Sequence, residues 1–128
     1  MTITIVWDDA EKTRLRYDIS GAWTWQELHE AQATIFAMMD ESPRARIGTI
    51  AHFTEGKVSI PPNTARDIQR LRFAAHPKAG LTVIVGASGA MKAAFRLLRT
   101  AYTMTGRSVE FAYANALEDA RLLLKGQL

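Results

Sequence analysis

The segment that most constrains the fold is a short, apolar and largely β-branched run in the second half of the chain. It spans Leu81 to Val85, and Gly86–Gly89 follows it directly, before a helical pattern that begins at Ala90. A strand without an alternating polar face has to be covered on both sides, which is typical of a parallel sheet flanked by helices. The run therefore predicts a central strand of an α/β protein.

The first twenty residues predict a β-hairpin. Apolar and polar residues alternate in Thr2–Trp7 and in Arg14–Ile19, which is the pattern of half-buried strands. The segment Asp8–Lys12 between them has the composition of a turn, and Ser20-Gly21 ends the second strand. We expect the two strands to pair in an antiparallel manner.

Helix and strand patterns then alternate along the chain. Thr24 with Glu27 and Asn115 with Glu118 form capping boxes, which mark the starts of the first and last helices. Three successive strand–helix–strand units imply right-handed crossovers. The predicted fold class is α/β, with a mixed, mainly parallel five-stranded sheet and four helices in the order β-β-α-β-α-β-α-β-α. After the hairpin the predicted elements are a helix from Thr24 to Ser42-Pro43 and a strand at Ala45–Phe53. A second helix begins at Asn63 or Thr64, buries Ile68, Leu71 and Ala75, and ends at His76-Pro77. The remaining predicted elements are the strand Leu81–Val85, a helix from Ala90 to about Met104, a strand at Ser108–Tyr113 and a final helix after Asn115.

Size and composition fit one folded domain that covers residues 1–128. The chain is 48% hydrophobic and 23% charged, as ordinary globular proteins are. It contains no cysteine, which excludes disulfides, thiolate metal sites and thiol nucleophiles. No apolar run approaches the ~20 residues of a spanning helix, and Asp8 and Asp9 bring charge too early for a signal peptide. We expect no transmembrane segment and a cytoplasmic location.

The chain is mildly basic, with a formal net charge of +3. Domains that bind nucleic acids concentrate lysine and arginine on one face. Here arginines and acidic residues are interleaved along most of the sequence, which indicates a solvated surface of mixed charge. We therefore expect no nucleic-acid partner.

Several segments together resemble the STAS superfamily (anti-sigma-factor antagonists), and within it the SpoIIAA-like branch. They are Trp25–Leu28 after the hairpin, His76-Pro77 before Gly80–Gly86, and Phe111–Tyr113 with Leu117–Ala120. The resemblance implies a non-enzymatic protein that acts as a protein-interaction switch or binds a small molecule, in a fold similar to some lipid carriers. The Asp-Ser pair of the phospho-switch members is absent from Thr54–Thr64, so the resemblance does not extend to that switch.

Ser88 is the one candidate nucleophile in a suggestive setting. Gly86-Ala87-Ser88-Gly89-Ala90 joins a strand to a helix and comes one residue short of the G-x-S-x-G nucleophile elbow. The histidines His29, His52 and His76 all precede it, whereas the elbow expects a histidine further along the chain. We interpret Ser88 as the N-cap of the third helix.

The same turn offers a second chemistry, the binding of an anion. Backbone N–H groups at a helix N-terminus present partial positive charge, and Lys92 follows one turn later. The segment lacks the G-x-x-x-x-G-K-[ST] pattern of nucleotide hydrolases, so Ser88 and Lys92 stay as candidates for binding a small anion alone.

The loop from Thr54 to Asn63 is the third candidate. It is longer than a typical connection and follows a strand, at the edge where ligands of parallel sheets usually bind. Val58, Ser59 and Ile60 in this loop, with His52 and Phe53 at the end of the strand, are therefore candidates for contact with a ligand or partner. The alternative is that Val58 and Ile60 fold back onto the second helix.

The sequence thus predicts a non-catalytic regulatory or binding module. Its partner would be a protein or a small ligand, amphipathic or anionic, and no cofactor or metal site is expected. Two alternatives remain: a small hydrolase-like enzyme that uses the Ser88 turn or a cleft near the Thr54–Asn63 loop, and a homodimeric scaffold. An enzyme should show convergent titratable groups near Ser88, whereas a binding module should show an apolar pocket or an exposed patch.

Overall fold

The computed structural model describes residues 2–54, 60–71, 73–103 and 110–125, and its elements follow the predicted order. The first two strands and the first helix match the sequence patterns closely, and the later elements differ at their ends. The elements are β1 (Ile3–Trp7), β2 (Arg14–Ile19), α1 (Trp25–Glu41), β3 (Ile47–Phe53), α2 (Thr64–Leu71), β4 (Ala79–Val85), α3 (Gly89–Thr103), β5 (Phe111–Ala114) and α4 (Leu117–Lys125).

The five strands form one mixed sheet in the order β1-β2-β3-β4-β5. The first pair is antiparallel, with Ile5 opposite Tyr17, and the other three pairs are parallel, with Tyr17, Ala51 and Ile84 in register across β2, β3 and β4. Each parallel strand lies beside the strand that precedes it in sequence. Right-handed crossovers then bring α1, α2 and α3 to the same face of the sheet.

The two faces of the sheet carry separate cores. On the first face, the buried residues of α1, α2 and α3 pack with those of β1 to β4 in one cluster, which includes Trp23 and Trp25. On the second face, Ala120 and Leu124 of α4 pack against Ile50 and Val83. The strand β4 is therefore covered on both faces, as its apolar sequence predicted. The β1–β2 end of the second face has no helix over it in the described part of the chain.

The second helix is shorter than the sequence pattern indicated. It extends to Leu71, and Phe73–His76 are not helical, so Ala75 is not on a helical face as expected. The reason is the burial of Phe73, whose ring contacts those of Trp25 and His29 at centroid distances of 6.2 and 5.2 Å. The chain leaves the helix to place this ring in the core.

Helix ends show which capping predictions hold. The Thr24 hydroxyl accepts the Glu27 backbone N–H at 3.1 Å, so Thr24 caps α1 as predicted. At the other end of α1, the Lys78 ammonium donates to the carbonyls of Met39 and Ser42. The predicted N-cap of α4, Asn115, was wrong. The first backbone hydrogen bond of this helix runs from the Ala120 N–H to the Ala116 carbonyl, so the cap position is Ala116.

None of the helices in the described parts of the chain is both long and apolar enough to span a membrane.

Candidate functional site

A cavity of about 60 Å³ lies between the first face of the sheet and the helices α1 and α3. Its walls are mostly apolar, and they are less polar than the walls of three other grooves on the described surface. The volume is less than half of the ~150 Å³ engineered cavity that accepts benzene, but it exceeds what one water molecule needs. A cavity of this size can hold a ligand, or part of a ligand, of a few non-hydrogen atoms. The lining residues are Tyr17, Leu28, Gln32, Ile35, Phe36, Met39, Thr49, Ala51, Ala74, Ala75, His76, Ala79, Thr82, Phe95, Leu98, Tyr102 and Phe111.

Three hydroxyl groups in this wall, those of Tyr17, Thr49 and Thr82, have no hydrogen-bond partner among the described residues. Tyr17 on β2 is 8% exposed and Thr49 on β3 is 6% exposed, and neither hydroxyl forms a hydrogen bond to another described residue. Both side chains point to the first face because they alternate with residues on the second face. Among the described residues, the fully buried side-chain polar atom without a partner is Trp23 Nε1, which is not in this wall. The hydroxyls at the cavity wall are therefore available to exchange hydrogen bonds with a polar atom inside the cavity.

A second polar pair lies in the same wall. The Gln32 side-chain amide on α1 donates to the hydroxyl of Tyr102 on α3, which fixes both side chains. Burial raises the pKa of Tyr102 well above its usual range. The pKa of Tyr17 is also raised, first by burial and then by the nearby Tyr102 hydroxyl. Both phenols therefore stay neutral at physiological pH and can donate a hydrogen bond.

The cavity reaches the surface beside the segment that follows α2. Ala74 and Ala79 are exposed, and Phe36, Ala75 and His76 are half-buried. The imidazole of His76 is held in place, because Nε2 lies 2.7 Å from the Asp40 carboxylate and Nδ1 accepts the Lys78 backbone N–H at 3.0 Å. These residues surround a mostly apolar opening with a fixed histidine at its rim.

The electrostatics of the cavity favour a neutral occupant. Among the described residues that line it, the titratable groups are the two tyrosines and His76 at the mouth. A carboxylate or ammonium buried here would have no opposite charge beside it, and isolated buried charges are strongly disfavoured. An alcohol or amide, in contrast, could exchange hydrogen bonds with the Tyr17 and Thr49 hydroxyls.

The structure places Ser88 and Lys92 elsewhere, at the start of α3. The Ser88 hydroxyl accepts the Met91 backbone N–H at 3.2 Å, which is the expected N-cap bond. The Lys92 ammonium lies 5.0 Å from the centre of the Tyr113 ring. The groove beside them is lined by Ile84, Gly86, Ala87, Lys92, Tyr113, Ala114 and Asn115, with no histidine or carboxylate among these residues.

The candidates at the end of β3 do not form one site. Phe53 is buried in the core against Trp23 and Phe95, and His52 points to the opposite face of the sheet, where Nδ1 lies 3.2 Å from the Asp18 carboxylate. Alternation along a strand separates neighbours in this way. Ile60 is exposed on the surface, and Val58 and Ser59 lie outside the described residues.

A network of charged residues occupies the β1–β2 end of the second face. The Asp8 carboxylate is fully buried and accepts hydrogen bonds from Arg14, Arg16 and Arg121, while Arg16 also binds Asp18. The Asp9 carboxylate accepts the backbone N–H groups of Thr13 and Arg14 and so forms the predicted turn. Positive and negative groups satisfy one another here, which is the pattern of a structural network.

The sequence interpretation did not single out the residues that line the cavity. A signal was present, because Tyr17 alternates with Leu15 and Ile19 on the inward face of the predicted strand, and Thr49 lies within an apolar strand. A hydroxyl on an inward face has to find a partner. The helical residues Gln32 and Tyr102 could not be paired from sequence, since seventy positions separate them.

No group of three or more histidines and carboxylates that could hold a metal ion occurs among the described residues. A scan against models of known protein families and a search of curated proteins both found no match.

Proposed function

We propose that this chain is a non-catalytic, STAS-like binding module that takes a small, neutral, amphipathic ligand into the cavity between α1, α3 and the sheet. The proposal includes a regulatory role, in which the bound ligand changes how the protein meets a partner, and a cytoplasmic location. The fold resemblance predicted a binding module of this kind. The cavity supports this proposal with a candidate site.

The observation that carries the proposal is the set of hydroxyls without a described partner that line the cavity, those of Tyr17, Thr49 and Thr82. In a wall that is mostly apolar, each is available to exchange a hydrogen bond with a polar atom of a ligand. Ligand pockets typically combine apolar walls with a few polar groups that fix the orientation of the ligand. The volume of about 60 Å³ suits a hydroxyl or amide head with two or three carbons, and a longer tail would leave through the mouth at Ala74 and Ala79.

The competing hypothesis is an enzyme that uses Ser88. A serine nucleophile needs a base within hydrogen-bonding reach. The Ser88 hydroxyl instead accepts a backbone N–H of its own helix, and neither a histidine nor a carboxylate lines the adjacent groove. These contacts favour the binding module.

The test is a titration of the ¹⁵N-labelled protein with 1-propanol, followed by NMR chemical shifts. We expect saturable shifts at the amides of Thr49, Ala51 and Thr82, which line the cavity. For a ligand of four heavy atoms a dissociation constant of about 1 mM is expected. Propanoate, which has similar size but carries a charge, should leave these amides unshifted because the cavity offers no counter-charge.

The Ser88→Ala variant is the control, since Ser88 lies outside the cavity and its loss should leave the titration unchanged. Shifts that are absent, or that are confined to the groove around Lys92 and Tyr113, would overturn the proposal. Equal binding of propanol and propanoate at the cavity would retain a binding module but overturn the neutral ligand.

A further inference from the structure

The side chain of His76 lies at the opening of the cavity in a mostly buried position. It is 10% exposed, and its ring packs against that of Phe36 on α1 with a centroid distance of 5.2 Å. Ala75, His76 and Ala79 all line the cavity, so the turn His76–Ala79 supplies part of its wall. The conformation of this turn therefore determines one side of the cavity.

The hydrogen bonds of the imidazole fix which of its nitrogens carries the proton. Nδ1 accepts the Lys78 backbone N–H at 3.0 Å, so Nδ1 carries no hydrogen. The single N–H of the neutral ring is then on Nε2, which donates to the Asp40 carboxylate at 2.7 Å. Within the same turn, the Ala79 N–H donates to the His76 carbonyl at 3.0 Å. The turn is thus built around the neutral form of His76.

Protonation of His76 conflicts with this arrangement. An imidazolium carries hydrogens on both nitrogens, so its Nδ1–H would meet the Lys78 N–H in place of the hydrogen bond. The contact with Asp40 gains an opposite charge, but the Asp40 side chain is 70% exposed, and exposed ion pairs contribute little. A charged ring is also unfavourable in an apolar wall. The protonated side chain is therefore more stable when it turns towards solvent and away from Lys78.

The other charged groups nearby do not remove the conflict. The Lys78 ammonium donates to two carbonyls at the C-terminal end of α1, and the Arg46 side chain lies against the start of β4. Both are positive and give a protonated ring no favourable partner. Glu41 lines a separate groove beside the first hairpin, and the two cavity tyrosines, with their raised pKa values, stay neutral. Among the described residues, Asp40 is the one acid in contact with the imidazole.

We propose that His76 is a pH-dependent switch of the cavity: the neutral side chain closes the wall at His76–Ala79, and protonation releases this turn and weakens ligand binding. Histidine is the side chain that ordinarily changes its charge between about pH 5 and pH 8. The role in ligand release rests on the proposed function, whereas the movement of the turn does not. The cavity holds its ligand at neutral pH and releases it in acid.

The test follows the Lys78 amide by hydrogen–deuterium exchange, corrected for the intrinsic effect of pH, and the dissociation constant of 1-propanol by NMR titration. Loss of one hydrogen bond should lower the protection factor of this amide at least about fivefold between about pH 8 and about pH 5. The dissociation constant should rise by about the same factor, because the same turn forms part of the cavity wall. An unchanged protection factor would overturn the switch.

Three variants assign the effect to His76. His76→Asn keeps an acceptor for the Lys78 N–H, as in an Asx-turn, but does not titrate, so neither protection nor binding should depend on pH. His76→Phe keeps a ring without an acceptor, so the Lys78 amide should exchange rapidly at both pH values. His52→Asn makes the same change on the opposite face of the sheet and should retain the full pH dependence. A pH dependence that persists in His76→Asn would overturn the proposal.

The two readouts separate the switch from the proposed function. If 1-propanol binds at neither pH, the proposed function and the role in ligand release are both wrong, while a pH-dependent Lys78 amide would still support the movement of the turn. If 1-propanol binds equally at both pH values, the cavity is a binding site that His76 does not control, and the proposed switch is wrong.

Discussion

Arg121 of α4 donates from Nε and Nη2 to the two carboxylate oxygens of Asp8, at 2.9 Å each. The two residues are 113 positions apart, and this two-bonded contact joins the last helix to the turn of the first hairpin. Such paired Arg–carboxylate bonds are among the stronger polar contacts in proteins. Because Arg14 and Arg16 bind the same carboxylate, Asp8 holds three elements together.

Replacement of Asp8 by Asn should destabilise the fold. The Asp8 side chain is fully buried, and the change leaves three arginines without their shared counter-charge. Breaking a buried pair typically costs several kcal/mol, and we expect about 3 kcal/mol because the arginines are partly solvated. Urea unfolding at pH 7 measures this cost. A loss below about 1 kcal/mol would mean that the network contributes no more than an exposed ion pair.

The same carboxylate predicts how stability depends on pH. Hydrogen bonds from Arg121, Arg14 and Arg16 hold the pKa of Asp8 well below its usual range. A lowered pKa contributes stability that is fully present above the unfolded value of about 3.9 and is lost as the pH falls towards the folded value. The difference in unfolding free energy between the unmodified chain and Asp8→Asn should therefore shrink from pH 5 to pH 2, by about 1 kcal/mol or more. A constant difference would contradict the assignment.

Replacement of Ser88 by Ala should cost about 1 kcal/mol of stability, the usual value of a helix N-cap. The hydroxyl accepts the Met91 N–H and has no other partner among the described residues. Thermal unfolding measures the cost, and a serine-directed covalent probe provides the functional control. Labelling of Ser88 by such a probe would show a reactivity that the capping role does not explain.

Amide exchange should be slowest in the interior strands. Leu81–Val85 is hydrogen-bonded to strands on both sides and covered on both faces, so its opening approaches global unfolding. The edge strand β1 has a neighbour on one side and should exchange faster. Hydrogen–deuterium exchange that found equal rates in Leu81–Val85 and β1 would contradict the two-faced burial of β4.

How far the sequence predicts this molecule depends on the range of the interactions involved. The hairpin, the apolar strand Leu81–Val85 and the Thr24 cap follow from local patterns and are confirmed. The end of α2 was wrong because a tertiary contact, the burial of Phe73, overrides the local signal at His76-Pro77. The cavity likewise depends on residues brought together by the fold.

The charged network around Asp8 could not be predicted from local sequence patterns either. Asp8 reads as a turn residue in the sequence, and its partner Arg121 is distant along the chain. Only the packing of α4 on the second face brings the two together. The candidates His52 and Phe53 illustrate the reverse, since they are adjacent in sequence yet belong to opposite faces of one strand.

Replacement of Thr49 by Val should raise the free energy of unfolding, by up to about 1 kcal/mol in the absence of ligand. The change removes the hydroxyl, which has no described partner, from a largely buried side chain and keeps the shape of that side chain. Tyr102→Phe is the matched comparison: it should lower stability by about 1 kcal/mol, because it leaves the Gln32 amide without its acceptor. A loss of stability in Thr49→Val would show that its hydroxyl is already satisfied in the empty protein.

The most direct test of the proposed function is the dissociation constant of 1-propanol for the unmodified chain and for the double variant Tyr17→Phe/Thr49→Val, measured by NMR titration at neutral pH. The double variant keeps the apolar walls of the cavity and removes two of the three hydroxyls without a described partner. Two lost hydrogen bonds of about 1 kcal/mol each should weaken binding at least about tenfold. Equal affinity in the two proteins would contradict the central claim that these hydroxyls hold the polar head of the ligand.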